Sequence, residues 1–187
     1  MTEHAEELRA YITERMQHYN VTGVSVGVAR PSEPEMFIGL GVTNINSPLP
    51  VDEHTLFQIG STTKTFTALA CAMLSDRGLL DLDTPLVELC PDFRLPDAAA
   101  TAAVTVRMLL NHTGGWDGDI LLVKPVGGRN DDALAQLPSY MESIVEQLTA
   151  PGTLFHYNNT GFSVSKLFSA NCCSFSFLLR NCLPVHS

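Results

Sequence analysis

An α+β fold, with one helix and a β-hairpin leading into a mostly helical region, is predicted by three observations. Leu8, Tyr11, Ile12, Met16 and Tyr19 recur at helical spacing near the N-terminus. Two short strand-like runs follow, at 24–28 and 36–42, separated by a turn that holds Pro31 and Pro34. From Ser61 onward the periodicity is helical, and strands and helices do not alternate as they would in βαβ units.

Taken in order, residues 3–19 read as an amphipathic helix. Residues 24–28 alternate with period two and read as a strand, 30–34 as a turn, and 36–42 as the second strand of a hairpin. Within that strand Gly39 and Gly41 mark a bulge or a close approach of other backbone. Residues 44–52, rich in Pro and Asn, form a loop. The helix that opens at Ser61 is expected to bury Phe66, Leu69, Ala70, Met73 and Leu74, and Arg77-Gly78 stop it. Pro85, Pro91 and Pro96 break 79–96 into brief helical turns. A short helix over 105–111, capped by Thr105, halts at His112-Thr113-Gly114-Gly115, and 117–132 reads as exposed and irregular. Ser139 with Glu142 forms a capping box. The helix it opens carries the stripe Met141, Ile144, Val145 and Leu148 and ends at Pro151-Gly152. No internal repeat is present, and no low-complexity segment precedes residue 165.

At 187 residues the chain is long enough for one domain with a core, or for part of a larger one. A formal net charge of -9 argues against DNA or RNA as partner, because nucleic-acid binders concentrate Lys and Arg to neutralise phosphates. No cationic cluster suggests attachment to acidic lipid. The N-terminus is acidic and lacks an apolar centre, unlike a secretory signal. No run reaches the ~18 apolar residues that span a bilayer, so a cytoplasmic location is expected. Cys71 and Cys90 lie in the body of the chain and Cys172, Cys173 and Cys182 near its end. None forms a C-x-x-C pair or meets a histidine at zinc-ligand spacing, so free thiols and no metal are expected.

The richest stretch chemically is Gly60-Ser61-Thr62-Thr63-Lys64. On a helix, residues three apart share a face, so the Lys64 amine reaches the Ser61 hydroxyl without help from a distant segment. A serine needs an adjacent base to become a nucleophile, and a lysine serves when burial or neighbouring cations favour its neutral form. Spacing alone is weak evidence, since Ser163-Val164-Ser165-Lys166 repeats it without the glycine or the strand-like approach. Tyr157 and Asn159, two apart in an extended stretch, project to one side. Read alone, they fit a core tyrosine with a turn asparagine better than a proton-handling pair.

In combination these segments resemble one family. The stretch 57–64, Asp76-Arg77-Gly78-Leu79-Leu80-Asp81-Leu82-Asp83, Leu109-Leu110-Asn111-His112-Thr113-Gly114-Gly115 and Tyr157-Asn158-Asn159 follow the order and spacing of the serine β-lactamase-related family. That family includes class C β-lactamases, D-alanyl-D-alanine carboxypeptidases and related esterases, and the resemblance covers residues 5 to about 164. It implies a β-lactamase/transpeptidase-like fold and acyl transfer to water on an amide, lactam or ester, with no cofactor or metal. The implied roles are nucleophile for Ser61, base for Lys64, proton relay for Tyr157, and an orienting and substrate-amide contact for Asn159. The Ser61 N–H would be one oxyanion donor. His112 matches a turn and packing position, and Trp116 and Asp117 are candidates to line the cleft. The expected partner is a small-molecule or peptide-like substrate. Oligomeric state and substrate are left open.

One element of the resemblance is missing. The family's third motif, Lys-Thr-Gly or a His-x-Gly variant on a downstream edge strand, has no match after Gly161. The expectation is therefore a truncated fold, with residues 1–164 an incomplete catalytic domain and 165–187 a non-family tail. That tail carries three cysteines, Phe168, Phe175 and Phe177 and no acidic residue. Val164-Ser165-Lys166 can be encoded by GTA-AGT-AAG, which reads like a translated splice donor. Such a chain is expected to be inactive. The rival reading is a non-catalytic protein, either a pseudoenzyme or a binding fragment.

Overall fold

The computed structural model describes residues 3–32, 34–117 and 133–171, which fall into two compact units, 1–59 and 60–187. The first unit carries helix α1 (Glu3–Tyr19) and an antiparallel hairpin of β1 (Gly23–Val28) and β2 (Met36–Gly41). Their register pairs Gly23 with Gly41 and Val28 with Met36. Ala5, Ile38 and Val51 are buried there. Of the two readings of the strand glycines, close approach is observed. A Cβ on Gly39 would lie 2.3 Å from the Val51 carbonyl oxygen, and Gly41 adopts a left-handed φ of +74°.

The second unit is helical. It contains α2 (Thr63–Asp76), the short α3 (Leu86–Leu89), α4 (Ala98–Ala103) and α5 (Val106–Leu110), then α6 (Ala133–Ile144) and α7 (Asn159–Asn171). Its core gathers Cys71, Leu74, Leu86, Phe93, Leu109, Trp116, Met141 and Val164. Each large apolar side chain removed from water there contributes about 1.5–3 kcal/mol. α7 packs on α2, α5 and α6 and so ties the unit together.

Caps explain several boundaries. Thr105 caps α5 as expected, its side chain accepting from the Met108 N–H. α4, not anticipated from the sequence, is capped by Asp97, whose Oδ1 accepts the Ala99 N–H. The Asp97-Ala-Ala-Ala signal for it was present.

Three expectations are corrected. On α2 the buried residues are Thr67, Cys71 and Leu74, while Phe66 and Leu69 are 63% and 56% exposed. The helix has two apolar stripes, and α7 covers the one that contains Thr67. Periodicity finds a stripe without saying which one its neighbours bury. On α6, Ser139 is not a cap. The helix begins six residues earlier, runs through Pro138, and turns the Ser139 hydroxyl back to donate to the Gln136 carbonyl at 2.7 Å. Burial of Leu137, Pro138 and Met141 outweighs the local cost of the proline. α6 also ends at Ile144, well before Pro151, and leaves Ile144 and Leu148 exposed.

Most of the irregular segment expected at 117–132, and residues 172–187 of the tail expected over 165–187, lie outside the described residues. α7 itself continues past position 164, to Asn171. Among the described residues no helix is long and apolar enough to cross a membrane.

Candidate active site

A 3-10 turn, the first turns of two helices and one irregular segment bring the site together inside the second unit. Gly60 takes a left-handed φ of +53°, which opens the single 3-10 turn Gly60–Thr62 in front of α2. Ser61 sits in that turn and Lys64 in the first turn of α2, so the two side chains share a face. The Lys64 Nζ donates to Ser61 Oγ at 3.1 Å. It also donates to Asn159 Oδ1 at 2.5 Å, across 95 residues of sequence.

Tyr157 and Asn159 reach the site by different means. Residues 155–158 have no regular structure, and Asn159 is the first residue of α7. The Tyr157 hydroxyl donates to Ser61 Oγ at 2.7 Å. Asn158, 5% exposed, caps α7: its Oδ1 accepts the Gly161 N–H at 2.7 Å, and its Nδ2 donates to the Trp116 carbonyl at 3.1 Å. The tyrosine is thus presented just before a capped helix, and the asparagine at its start.

All four residues expected from the sequence, Ser61, Lys64, Tyr157 and Asn159, are therefore placed together. Ser61 is exposed, Tyr157 is 42% exposed, and Lys64 and Asn159 are half-buried. The Lys64 ammonium position lies 4.8 Å from the Tyr157 ring centroid and 5.7 Å from that of Phe162. A cavity of about 270 Å³ opens beside Ser61, Lys64 and Asn159, with Thr67, Phe162 and Ser163 on its walls.

Thr67, Phe162 and Ser163 were not anticipated as site residues. Thr67 and Phe162 each stand three residues beyond a site residue, Lys64 and Asn159 respectively, which is the signal that finds them. Ser163, from the second S-x-x-K, lines the cavity, but its hydroxyl donates to the Asn159 carbonyl at 3.1 Å.

Trp116 does not line this cleft. It is 1% exposed and lies in the core beside Phe93, with ring centroids 6.3 Å apart. An aromatic of that size is worth most when buried. Asp117 is exposed and absent from the cavity wall. His112 is a packing residue as expected. Its ring lies 4.5 Å from that of Tyr157 and 5.0 Å from that of Phe162. Burial first, and the Lys64 charge second, push its imidazole below the ordinary histidine value. Among the described residues no cluster of His, Cys, Asp and Glu side chains could hold a metal ion.

The arrangement offers a hydroxyl with an amine and a phenol both within hydrogen-bond reach, which is what proton transfer to and from a nucleophilic oxygen requires.

Comparison with known proteins gives this geometry a family. The family model described as Beta-lactamase matches residues 8–168. Penicillin-binding protein 4 of Amycolatopsis lactamdurans is 32% identical over 162 residues, which are 87% of this chain and 41% of that protein. Among solved structures, D-alanine carboxypeptidase AmpC from Burkholderia cenocepacia is similar with a TM-score of 0.70 at 26% identity, over 94% of this chain and 46% of that one. A beta-lactamase/D-alanine carboxypeptidase from Pseudomonas syringae gives 0.67 at 27%, over 86% and 42%. The chain spans less than half the length of each of these proteins. Its α+β architecture is that of the N-terminal portion of a β-lactamase/transpeptidase-like fold. The chain belongs to the beta-lactamase family.

Proposed function

We propose that Ser61 is the acyl-accepting nucleophile of a serine hydrolase, with Lys64 as its base, Tyr157 as proton relay and Asn159 as the group that orients Lys64. One observation carries the reading: Ser61 Oγ lies 3.1 Å from Lys64 Nζ and 2.7 Å from the Tyr157 hydroxyl. In the forward step Ser61 Oγ bonds to the acyl carbon of an amide, lactam or ester while its proton passes to the neutral Lys64 amine. The C–N or C–O bond then breaks, and the leaving group receives that proton through Tyr157. Water attacks the acyl-serine in the second half, releasing the acid and returning the proton to Ser61. The Ser61 N–H stabilises the developing oxyanion. Asn159 is also proposed to contact the amide of a small-molecule or peptide-like substrate.

The 187-residue chain alone is proposed to be inert in this reaction. No Lys-Thr-Gly or His-x-Gly motif follows Gly161 to supply the second oxyanion donor that the resemblance implies. The proposed boundary at residue 164, where the composition changes, lies within the family match to 168 and within α7. Genomic sequence around codon 164 tests that boundary. For the site, the experiment is covalent labelling with a fluorescent penicillin or a fluorophosphonate. A full-length version should be labelled, its Ser61→Ala variant should not, and neither should the 187-residue chain. A full-length version that takes no label from either reagent would favour the non-catalytic reading.

A further inference from the structure

We propose that His112 is a positioning residue for the Ser61 site, holding the stretch 155–158 so that Tyr157 and Asn159 meet Ser61 and Lys64. Its catalytic consequence rests on the acylation reading, but the placement it enforces does not.

Residues 155–158 belong to no helix or strand, so the hydrogen bonds that fix them come from elsewhere. His112 supplies two. Its backbone carbonyl accepts the His156 N–H at 2.8 Å, and its Nδ1 accepts the Asn158 N–H at 2.9 Å. Its ring lies against the Tyr157 ring between those two anchors, with centroids 4.5 Å apart and planes tilted by 33°. Phe155 and Phe162 close over the same imidazole, at 5.5 and 5.0 Å. One residue thus grips the stretch by main chain, ring nitrogen and ring face. The backbone shows the same specialisation: His112 adopts a left-handed φ of +62°, a conformation that costs a non-glycine residue about 1 kcal/mol. Glycines follow at 114 and 115, yet the strained position carries a side chain with a ring and an acceptor.

The grip depends on protonation. Nδ1 accepts the Asn158 N–H only in the neutral ring, with the proton on Nε2. A protonated ring would set one donor against another. The ionisable groups that face it are Lys64 from α2 and the Tyr157 phenol from the gripped stretch; His156 meets His112 through the backbone, and α7 contributes Phe162, which does not titrate. Burial first and the Lys64 charge second push the imidazole below the ordinary histidine value, against a smaller opposing effect of the Asn158 backbone. Release therefore lies on the acid side. When it comes, the Tyr157–Ser61 and Lys64–Asn159 contacts loosen together.

The test is an NMR pH titration of the isotope-labelled 187-residue chain, following the His112 ring, the Asn158 amide, the Tyr157 ring and the Asn159 side-chain amide. The four signals should move together with one midpoint below about 6.5. His112→Asn keeps an acceptor near Nδ1 and tolerates the left-handed backbone but does not titrate. It should hold the Asn159 and Tyr157 signals at their wild-type alkaline positions down to about pH 4.5, well under the ordinary histidine value. His112→Phe keeps a ring without an acceptor and should displace those signals at every pH. In a full-length version His112→Phe should slow acylation about 10- to 100-fold at pH 8, the cost of a misplaced group, with His112→Asn close to wild type. Tyr157 and Asn159 signals indifferent to His112 protonation, or a transition that survives in His112→Asn, would overturn the proposal. A wild type that acylates in no version would count against the acylation reading alone, since the NMR signals judge the placement directly.

Discussion

Asn158→Ala removes a side chain that does two separate jobs beside the site. Its Oδ1 caps α7 through the Gly161 N–H at 2.7 Å, and loss of an asparagine cap costs about 1 kcal/mol. Its Nδ2 satisfies the buried Trp116 carbonyl at 3.1 Å, and a buried acceptor left unpaired costs about 1–3 kcal/mol. Together the substitution should destabilise the second unit by about 2–4 kcal/mol. Urea unfolding offers a direct assay, because Trp116 is the one tryptophan in the chain and is 1% exposed, so its fluorescence reports on the core. With an m-value of about 2 kcal/mol/M, the midpoint should fall by about 1–2 M. Asn158→Ser separates the two jobs, since serine caps a helix well but is too short to reach the Trp116 carbonyl. It should lose only the second share. An Asn158→Ala midpoint within about 0.2 M of wild type, which is about 0.4 kcal/mol at that m-value, would refute the assignment of Asn158 as the joint between helix cap and core.

Tyr157→Phe removes one hydroxyl from a side chain that is 42% exposed, so stability should stay within about 1 kcal/mol while turnover of a full-length version falls about 100-fold or more. A large loss of stability would instead make Tyr157 a core residue. Asn159→Ala leaves the Lys64 amine without its 2.5 Å acceptor and should slow acylation about 10- to 100-fold, measured by stopped-flow with a chromogenic lactam. The depressed His112 value fixes a pH dependence of stability. The unfolded chain binds a proton near pH 6.5 that the folded chain resists, so His112 contributes fully above that pH. Its contribution is lost progressively as pH falls from there toward the folded value. Urea midpoints between pH 7.5 and 5 should therefore decline less steeply in His112→Asn than in wild type.

The site was legible where its chemistry is local. Ser61 and Lys64 stand one helical turn apart, and Thr105 announces its own helix, because i, i+3 geometry and capping need only a few neighbouring residues. The hairpin was legible for the same reason. What escaped depends on contacts between distant segments. Two apolar stripes share α2, and only the position of α7 decides that Thr67 and Cys71 go inward while Phe66 and Leu69 do not. Ser139 carries a capping-box pattern, yet the buried Leu137, Pro138 and Met141 carry the helix straight through it. Trp116 was a candidate to line the cleft and is held by the core instead. The grip of His112 on Asn158, 46 residues away, has no sequence signature beyond the motif that contains it.

The claim at the centre of this account is that Lys64 activates Ser61, and the most direct measurement of it is mass-spectrometric mapping of the peptide acylated by a penicillin, with its rate, in a full-length version and in Lys64→Arg. Arginine keeps the charge but does not act as a neutral base near pH 7. The account predicts one adduct, on Ser61, formed about 10²–10⁴-fold more slowly in Lys64→Arg. An adduct on Ser163, the serine of the second S-x-x-K, or a Lys64→Arg protein acylated at close to the wild-type rate, would contradict it.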